Sequence, residues 1–211
     1  ERLHATVRAV QRTPSERVTL VIHDWGAVYG YRFEATYPAL VNGVVAVDIG
    51  AHMKLVGFKA HVLAMSYQWW LALAFMIGLV LPFVGNLMTL AMARLFRAPR
   101  AMDPKRRSEL ISAMNFPYFY VWKGLLSGRN PIKLHRFAPL CPTCFVWGKH
   151  KPMKFHSQRF VDAVLKVDGS EVHEVKAGHW IMRDKPAEFN AIVKAWLAKN
   201  TARGASAGSA R

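Results

Sequence analysis

The chain has 211 residues, 52% of them hydrophobic, and carries 29 Lys+Arg against 13 Asp+Glu for a formal net charge of +16 and a pI near 10.3. That length can bury a sizeable core as one domain, and that charge favours acidic partners, either nucleic acid or an anionic membrane surface. No nucleic-acid-binding module is legible and the basic residues are scattered except between Arg94 and Arg107, so nucleic acid is not an expected partner.

Residues 1–13 carry Leu3, Val7 and Val10 on one helical face. The apolar, β-branched run from Val18 to Ile22 predicts a buried strand of a parallel sheet. It stops at His23-Asp24-Trp25-Gly26, and a helical segment from Ala27 to Tyr37 follows, with Gly26, Ala27 and Gly30 small where strand and helix pass closely. Strand, sharp turn and helix with one reactive side chain at the apex make a nucleophile elbow, here with Asp24 at the apex. No Gly-x-Ser-x-Gly follows a strand, which counts against a serine esterase. Val41 to Val47 is the next buried strand and ends at Asp48. Asp24 and Asp48 thus share the carboxyl edge of a βαβ unit, where sites of such sheets lie.

From Phe58 to about Pro139 helical, aromatic-rich segments replace the strand pattern. Ser66 to Ala93 contains no charged residue, and a charge-free apolar stretch beyond about 18 residues reads as a transmembrane candidate. Pro82 and Gly85-Asn86 interrupt it, so two shorter buried helices, a membrane-dipping pair and a true span all stay open. Arg94, Arg97, Arg100, Lys105, Arg106 and Arg107 follow and are suited to anionic headgroups. A second helical segment, Ser108 to Leu126, holds Tyr118 and Tyr120.

Thr143 to Trp147 predicts a short strand with Gly148 as a turn. The cysteines, Cys141 and Cys144, form one Cys-x-x-Cys without the second ligand pair of a structural zinc site and away from any helix N-terminus. Two reduced, half-buried thiols are expected, with no metal and no cofactor. Ser157 can cap a helix carrying Phe160, Val161, Val164 and Leu165 on one face. Glu171 to Val175 reads as a strand, followed by Gly178-His179-Trp180. A closing helix starts near Pro186 with Phe189, Ile192, Val193, Trp196 and Leu197 at helical spacing, and Thr201 to Arg211 is expected to be disordered.

His23-Asp24-Trp25-Gly26, in this order after an apolar strand, resembles the elbow of the aspartate-nucleophile branch of the α/β-hydrolases, the epoxide hydrolases and the haloalkane and haloacetate dehalogenases. The similarity runs from about residue 1 to 199, loosely in the middle third. It implies an α/β fold, the C-terminal part of an α/β-hydrolase parallel sheet with an inserted helical cap. The expected divisions are core at 1–57, cap at 58–138, core at 139–200 and tail at 201–211. The strands that precede the elbow in that family, and its His-Gly-x-Pro loop, have no counterpart here, so an N-terminally truncated sequence is expected.

The resemblance implies Asp24 as nucleophile and His179 as base. Asp48 is implied as the acid that orients His179, because Gly148 to His156 holds no carboxylate. The Trp25 backbone N–H would donate to an oxyanion, with the second donor expected from the loop not seen here, and His23 would buttress the elbow. A carboxylate attacks saturated carbon without a base, and an imidazole then deprotonates the water that hydrolyses the ester. Epoxide opening needs a donor on oxygen, for which Tyr118 or Tyr120 is a candidate. Departure of halide needs N–H donors, for which Trp25, Trp69 and Trp70 are candidates. Hydrolysis through an aspartyl ester, with an epoxide as the small-molecule substrate, is therefore the expected function. An organohalide is the alternative substrate, and an inactive, membrane-associated protein is the non-enzymatic one. Both a cytoplasmic and a membrane-associated location stay open.

Overall fold

Three apolar runs and one shorter mixed run become the strands β1 (Val18–His23), β2 (Val41–Val47), β3 (Thr143–Gly148) and β4 (Glu171–Val175). In this computed structural model the described residues are 1–130, 138–151 and 153–209, with side chains described through Asn200. The expected end of the cap at 131–137, Pro152, and the last two residues of the expected tail lie outside them. The strands form one parallel sheet in the order β1-β2-β3-β4. Ile22 sits opposite Ala46, Ala46 opposite Phe145, and Phe145 opposite Val172.

Alternation along the strands builds a core on each face of the sheet. Val44, Ala46, Phe145 and Trp147 point to one side, where helices α1 (Arg2–Val10), α2 (Trp25–Thr36) and α7 (Gln158–Leu165) supply Val7, Tyr31 and Phe160. Val45, Val47, Cys144 and Val146 point to the other, against Ile181 of the short α8 (Ile181–Asp184) and Phe189 and Trp196 of α9 (Pro186–Ser209). Both strands of the middle pair are therefore covered twice, apart from exposed Asn42, which is why Val44 to Val47 and Cys144 to Trp147 read as apolar runs. The fold is that of the expected α/β class.

Several local expectations shift. Helix α1 buries only Val7, while Leu3 and Val10 face solvent. Gly30 packs against Ile22 where α2 crosses β1, but Gly26 has open space around it, so its smallness is not required by packing. Ser157 does cap α7, its Oγ accepting the Phe160 N–H at 3.1 Å. Cys141 and Cys144 are fully buried rather than half-buried, and free. Burial first, with Glu34 beside Cys141 and Glu171 near Cys144, pushes both thiols up to about 12. The backbone of α9 stays helical to Ser209, through residues expected to lack structure; alanines at 202, 205 and 207 are strong helix formers that extend a helix already nucleated.

The chain divides into two units, Glu1–Lys54 with Leu134–Arg211, and Leu55–Lys133. Among its described residues the second holds helices and no strand: α3 (Phe58–Gly78), α4 (Pro82–Leu95), the short α5 (Pro99–Met102) and α6 (Phe116–Leu126). Pro82 breaks the charge-free run by opening α4 at its first position, where a missing N–H costs nothing. Among the described residues, α3 alone is long and apolar enough to cross a membrane by length and composition.

Candidate active site

Every strand of the sheet delivers a side chain to the same edge. Asp24 follows β1, Asp48 follows β2, Lys151 lies just past β3, and His179 comes shortly after β4. This is the carboxyl end of the strands, where open parallel sheets hold their ligands.

Asp24 takes φ 51° and ψ −131°, a conformation that L residues other than glycine rarely adopt. Such a twist costs on the order of 1–3 kcal/mol and persists only where its surroundings impose it. Here the end of β1 and the first turn of α2 impose it, with the Asp24 carbonyl accepting the Ala27 N–H at 2.9 Å. The carboxyl is thereby lifted to the sheet rim, partly exposed. Trp25 opens α2, so its backbone N–H belongs to the leading turn, whose donors point out of the helix.

Asp48, also at positive φ (67°), is 0% exposed. Its Oδ2 accepts from His179 Nδ1 at 2.6 Å, and its Oδ1 accepts the Gly148 N–H at 3.0 Å and a bond from Lys151 Nζ. Burial by itself would raise the pKa of Asp48. The hydrogen bond from His179 and the Lys151 ammonium overcome that and hold the carboxyl below its ordinary value. Since a carboxylate only accepts, the His179 proton is on Nδ1, and Nε2 is left as the basic nitrogen.

His23 donates from Nε2 to the His179 carbonyl at 3.1 Å and stacks on the His179 ring at 4.4 Å and on Trp180 at 4.9 Å. Burial, and then the neighbouring His179, lower its pKa, so it stays neutral in this role. It is the buttress the sequence suggests, and it ties the elbow to the histidine loop. Phe155 meets the His179 ring edge-on at 5.6 Å. Among the described residues no hydrogen bond joins Asp24 to His179; His23 is the link between them.

Lys151 is the member that sequence reasoning missed. Its side chain is 4% exposed and lies in the segment read as merely lacking an acid. A lysine flanked by Lys149 and Lys154 looks like a solvated loop, and only the absence of a carboxylate from that segment hinted at a different arrangement. Gly148 has a packing reason to be glycine: a Cβ there would sit 2.1 Å from the Gly178 carbonyl oxygen, next to His179.

The four aromatic candidates belong to the helical unit. Trp69 stacks on Trp122 at 4.7 Å, and the Trp70 indole N–H donates to the Met88 carbonyl at 2.9 Å. Tyr118 meets Tyr67 edge-on at 6.0 Å, and Tyr120 is 55% exposed beside Phe119. The Trp70 donor is thus engaged in packing within its own unit. A literal Gly-x-Ser-x-Gly string does occur at Gly204 to Gly208, but the backbone there is helical and no strand leads into it, so it forms no elbow. Among the described residues no group of three His, Cys, Asp or Glu side chains is placed to hold a metal ion.

A family model described as the alpha/beta hydrolase family matches residues 1–192. Among solved structures, an epoxide hydrolase of Bacillus megaterium in complex with an inhibitor aligns with TM-score 0.66 at 19% identity, covering 94% of this chain and 74% of that one. A serine hydrolase involved in carbazole degradation aligns with TM-score 0.54 at 17% identity, covering 93% and 68%. An esterase of Thermogutta terrifontis aligns with TM-score 0.55 at 16% identity, covering 88% and 66%. No curated protein matches the chain. The chain belongs to the alpha/beta hydrolase family and is a hydrolase of that superfamily.

Proposed function

We propose that this alpha/beta hydrolase cleaves a small epoxide through an ester formed on Asp24. The observation that carries the reading is the presence, at one sheet edge, of a carboxylate at a strained apex and of a histidine whose Nδ1 is fixed on Asp48 at 2.6 Å. One structural neighbour is a serine hydrolase, so the fold alone does not name the nucleophile; the side chain at the apex of this chain is an acid. The inhibitor complex of the Bacillus megaterium epoxide hydrolase supports a small-molecule substrate.

In the first step an Asp24 carboxylate oxygen attacks an epoxide carbon. The C–O bond of the ring breaks, and the released oxygen takes a proton. Tyr118 and Tyr120 are the phenols chemically suited to give it. In the second step His179 Nε2 takes a proton from water, and the hydroxide attacks the ester carbonyl. The ester C–O bond breaks, and the hydroxyl proton of the tetrahedral centre passes to the departing alkoxide to give the diol. Asp24 returns as carboxylate with one oxygen from water, and the imidazolium proton restores the phenol. The Trp25 N–H donates to the tetrahedral oxyanion, a contribution typically worth on the order of a hundredfold to a thousandfold in turnover. Asp48 keeps the proton on Nδ1 and stabilises the imidazolium as it forms.

Turnover of an epoxide in heavy-oxygen water, followed by digestion and mass spectrometry, tests the reading. Label in the peptide that contains Asp24 is expected. Label found only in the diol rejects the ester. Release of halide from chloroalkanes without epoxide turnover moves the assignment to dehalogenation.

A further inference from the structure

The helical unit presents an apolar tip that its own packing leaves outside. Between α3 and α4 the chain reverses over Leu79 to Leu81, and Leu79, Val80 and Phe83 are 69%, 80% and 79% exposed. Leu81, Val84 and Leu87 extend the same patch. Isolated exposed apolar residues are ordinary, but a contiguous set at a helical turn marks a docking surface.

The polar side chains near the tip are turned inward. Asn86 accepts the Ser112 N–H at 2.7 Å, and Thr89 donates to the Gly85 carbonyl at 2.8 Å while accepting from Asn115 at 2.7 Å. Further down, the Trp70 indole N–H is bonded to Met88. These bonds meet the needs of the unit's own interior and leave the tip an apolar surface that hydrocarbon can accept.

Charge then selects the occupant. Arg94, Arg97, Arg100, Lys105 and Arg106 are exposed near the far end of α4 and just beyond it. Along α4, Arg94 stands about 16 Å from Phe83 at 1.5 Å per residue. A tip sunk about 10 Å below the headgroup–acyl boundary places that cation in the headgroup layer, roughly 5–7 Å thick. The two helices also run antiparallel, with Tyr67 beside Phe96 at 5.4 Å and Trp70 beside Met88, so both arms return to one side. This is the geometry of insertion into one leaflet and not of a span, although among the described residues α3 is long and apolar enough for one.

We propose that the α3–α4 tip docks the protein on anionic lipid bilayers, with Leu79 to Leu87 in the acyl region and the arginine- and lysine-rich segment on the headgroups. The proposal is independent of the reaction at Asp24, and its test needs no substrate. Flotation of the full chain is measured with vesicles of phosphatidylcholine alone and with phosphatidylglycerol added at roughly one part in three. The wild type should float with the anionic vesicles, and high salt should release it in part. Val80→Glu/Phe83→Glu should abolish flotation with unchanged circular dichroism and melting temperature, because both side chains are exposed. Arg94→Gln/Lys105→Gln should weaken binding roughly tenfold or more, from about 1 kcal/mol per basic residue. A dye at Val80→Cys should shift to the blue on binding. Absence of wild-type flotation, flotation that ignores anionic lipid, or flotation that survives the two tip charges overturns the proposal. So does a self-associated wild type in sedimentation that the tip charges dissociate, which would make a second copy the occupant.

Discussion

Asp48→Asn removes the counter-charge of a lysine that has almost no water around it. The Lys151 side chain is 4% exposed and Asp48 is 0% exposed, so the ammonium would be left buried with neutral acceptors. Breaking a buried pair from one side costs about 3–5 kcal/mol, a large share of the roughly 5–15 kcal/mol that holds a domain together. Lys151→Met acts differently. It leaves the Asp48 carboxylate its bonds from Gly148 N–H and His179, and should cost about 1–3 kcal/mol. In the double variant no charge is stranded, and its loss of stability should fall short of the sum of the single losses by about 2 kcal/mol or more. Urea melts of the four proteins measure this cycle. Turnover separates the same variants in another way. An amide at residue 48 can donate to His179 Nδ1 and so selects the tautomer that lacks a basic Nε2, which should cost roughly 10⁴-fold. Lys151→Met keeps the carboxylate on Nδ1 and should stay within about tenfold of wild type. Additivity of the stability losses within about 0.5 kcal/mol would refute the ion-pair reasoning, and equal loss of turnover in both single variants would refute the assignment of Asp48 as the orienting acid.

Asp24→Asn should reduce epoxide turnover by about 10³-fold or more while the fold, read by near-UV circular dichroism, is kept. Gly148→Ala must displace the Gly178 carbonyl, 2.1 Å from the new methyl; a melt should show a loss of about 1–3 kcal/mol, and turnover should fall with it because His179 is the next residue. His156 is 6% exposed with Nδ1 unpartnered, and burial, then Lys151 and Lys154, push its pKa down to about 4. The unfolded chain therefore binds the extra proton first, so stability is full above about pH 6.5 and should fall as pH drops toward 4, by about 3 kcal/mol at most; in urea melts at several pH values, His156→Phe should flatten that slope. The thiols of Cys141 and Cys144, held up to about 12, should resist iodoacetamide at pH 8 in the native protein and react fully in urea, as counted by mass spectrometry.

What could be read from the residues depended on how much of the cause is local. The strands β2 and β3 were legible because twofold burial demands apolar runs, and the turns after β1 and β2 because each is followed by an aspartate; β1 reads as equally buried but is an edge strand that buries only Ile22 and leaves Val21 67% exposed. Asp48 and His179 could be paired only through the family resemblance and their places behind strands, since the contact joins residues 131 positions apart. Lys151 could not be seen at all. Its burial is produced by the return of β4 and its histidine loop, and nothing in Gly-Lys-His-Lys distinguishes a buried cation from a solvated one. The exposure of Leu3 and Val10 was hidden for a related reason, because a helical stripe shows which residues share a side but not how much of it finds a neighbour. The turn at Leu79 to Leu81 was signalled by Pro82, whereas the exposure of its side chains followed from packing elsewhere in the unit.

The unusual backbone angles at residue 24 are imposed by what flanks it, not by the acid it displays. The apex is therefore a socket, and its chemistry is interchangeable in a way that its shape is not. A hydroxyl, thiol or carboxyl installed there would be held out at the same rim of the sheet, so on the proposed reading a single codon would separate one class of bond cleavage from another while the scaffold stays as it is.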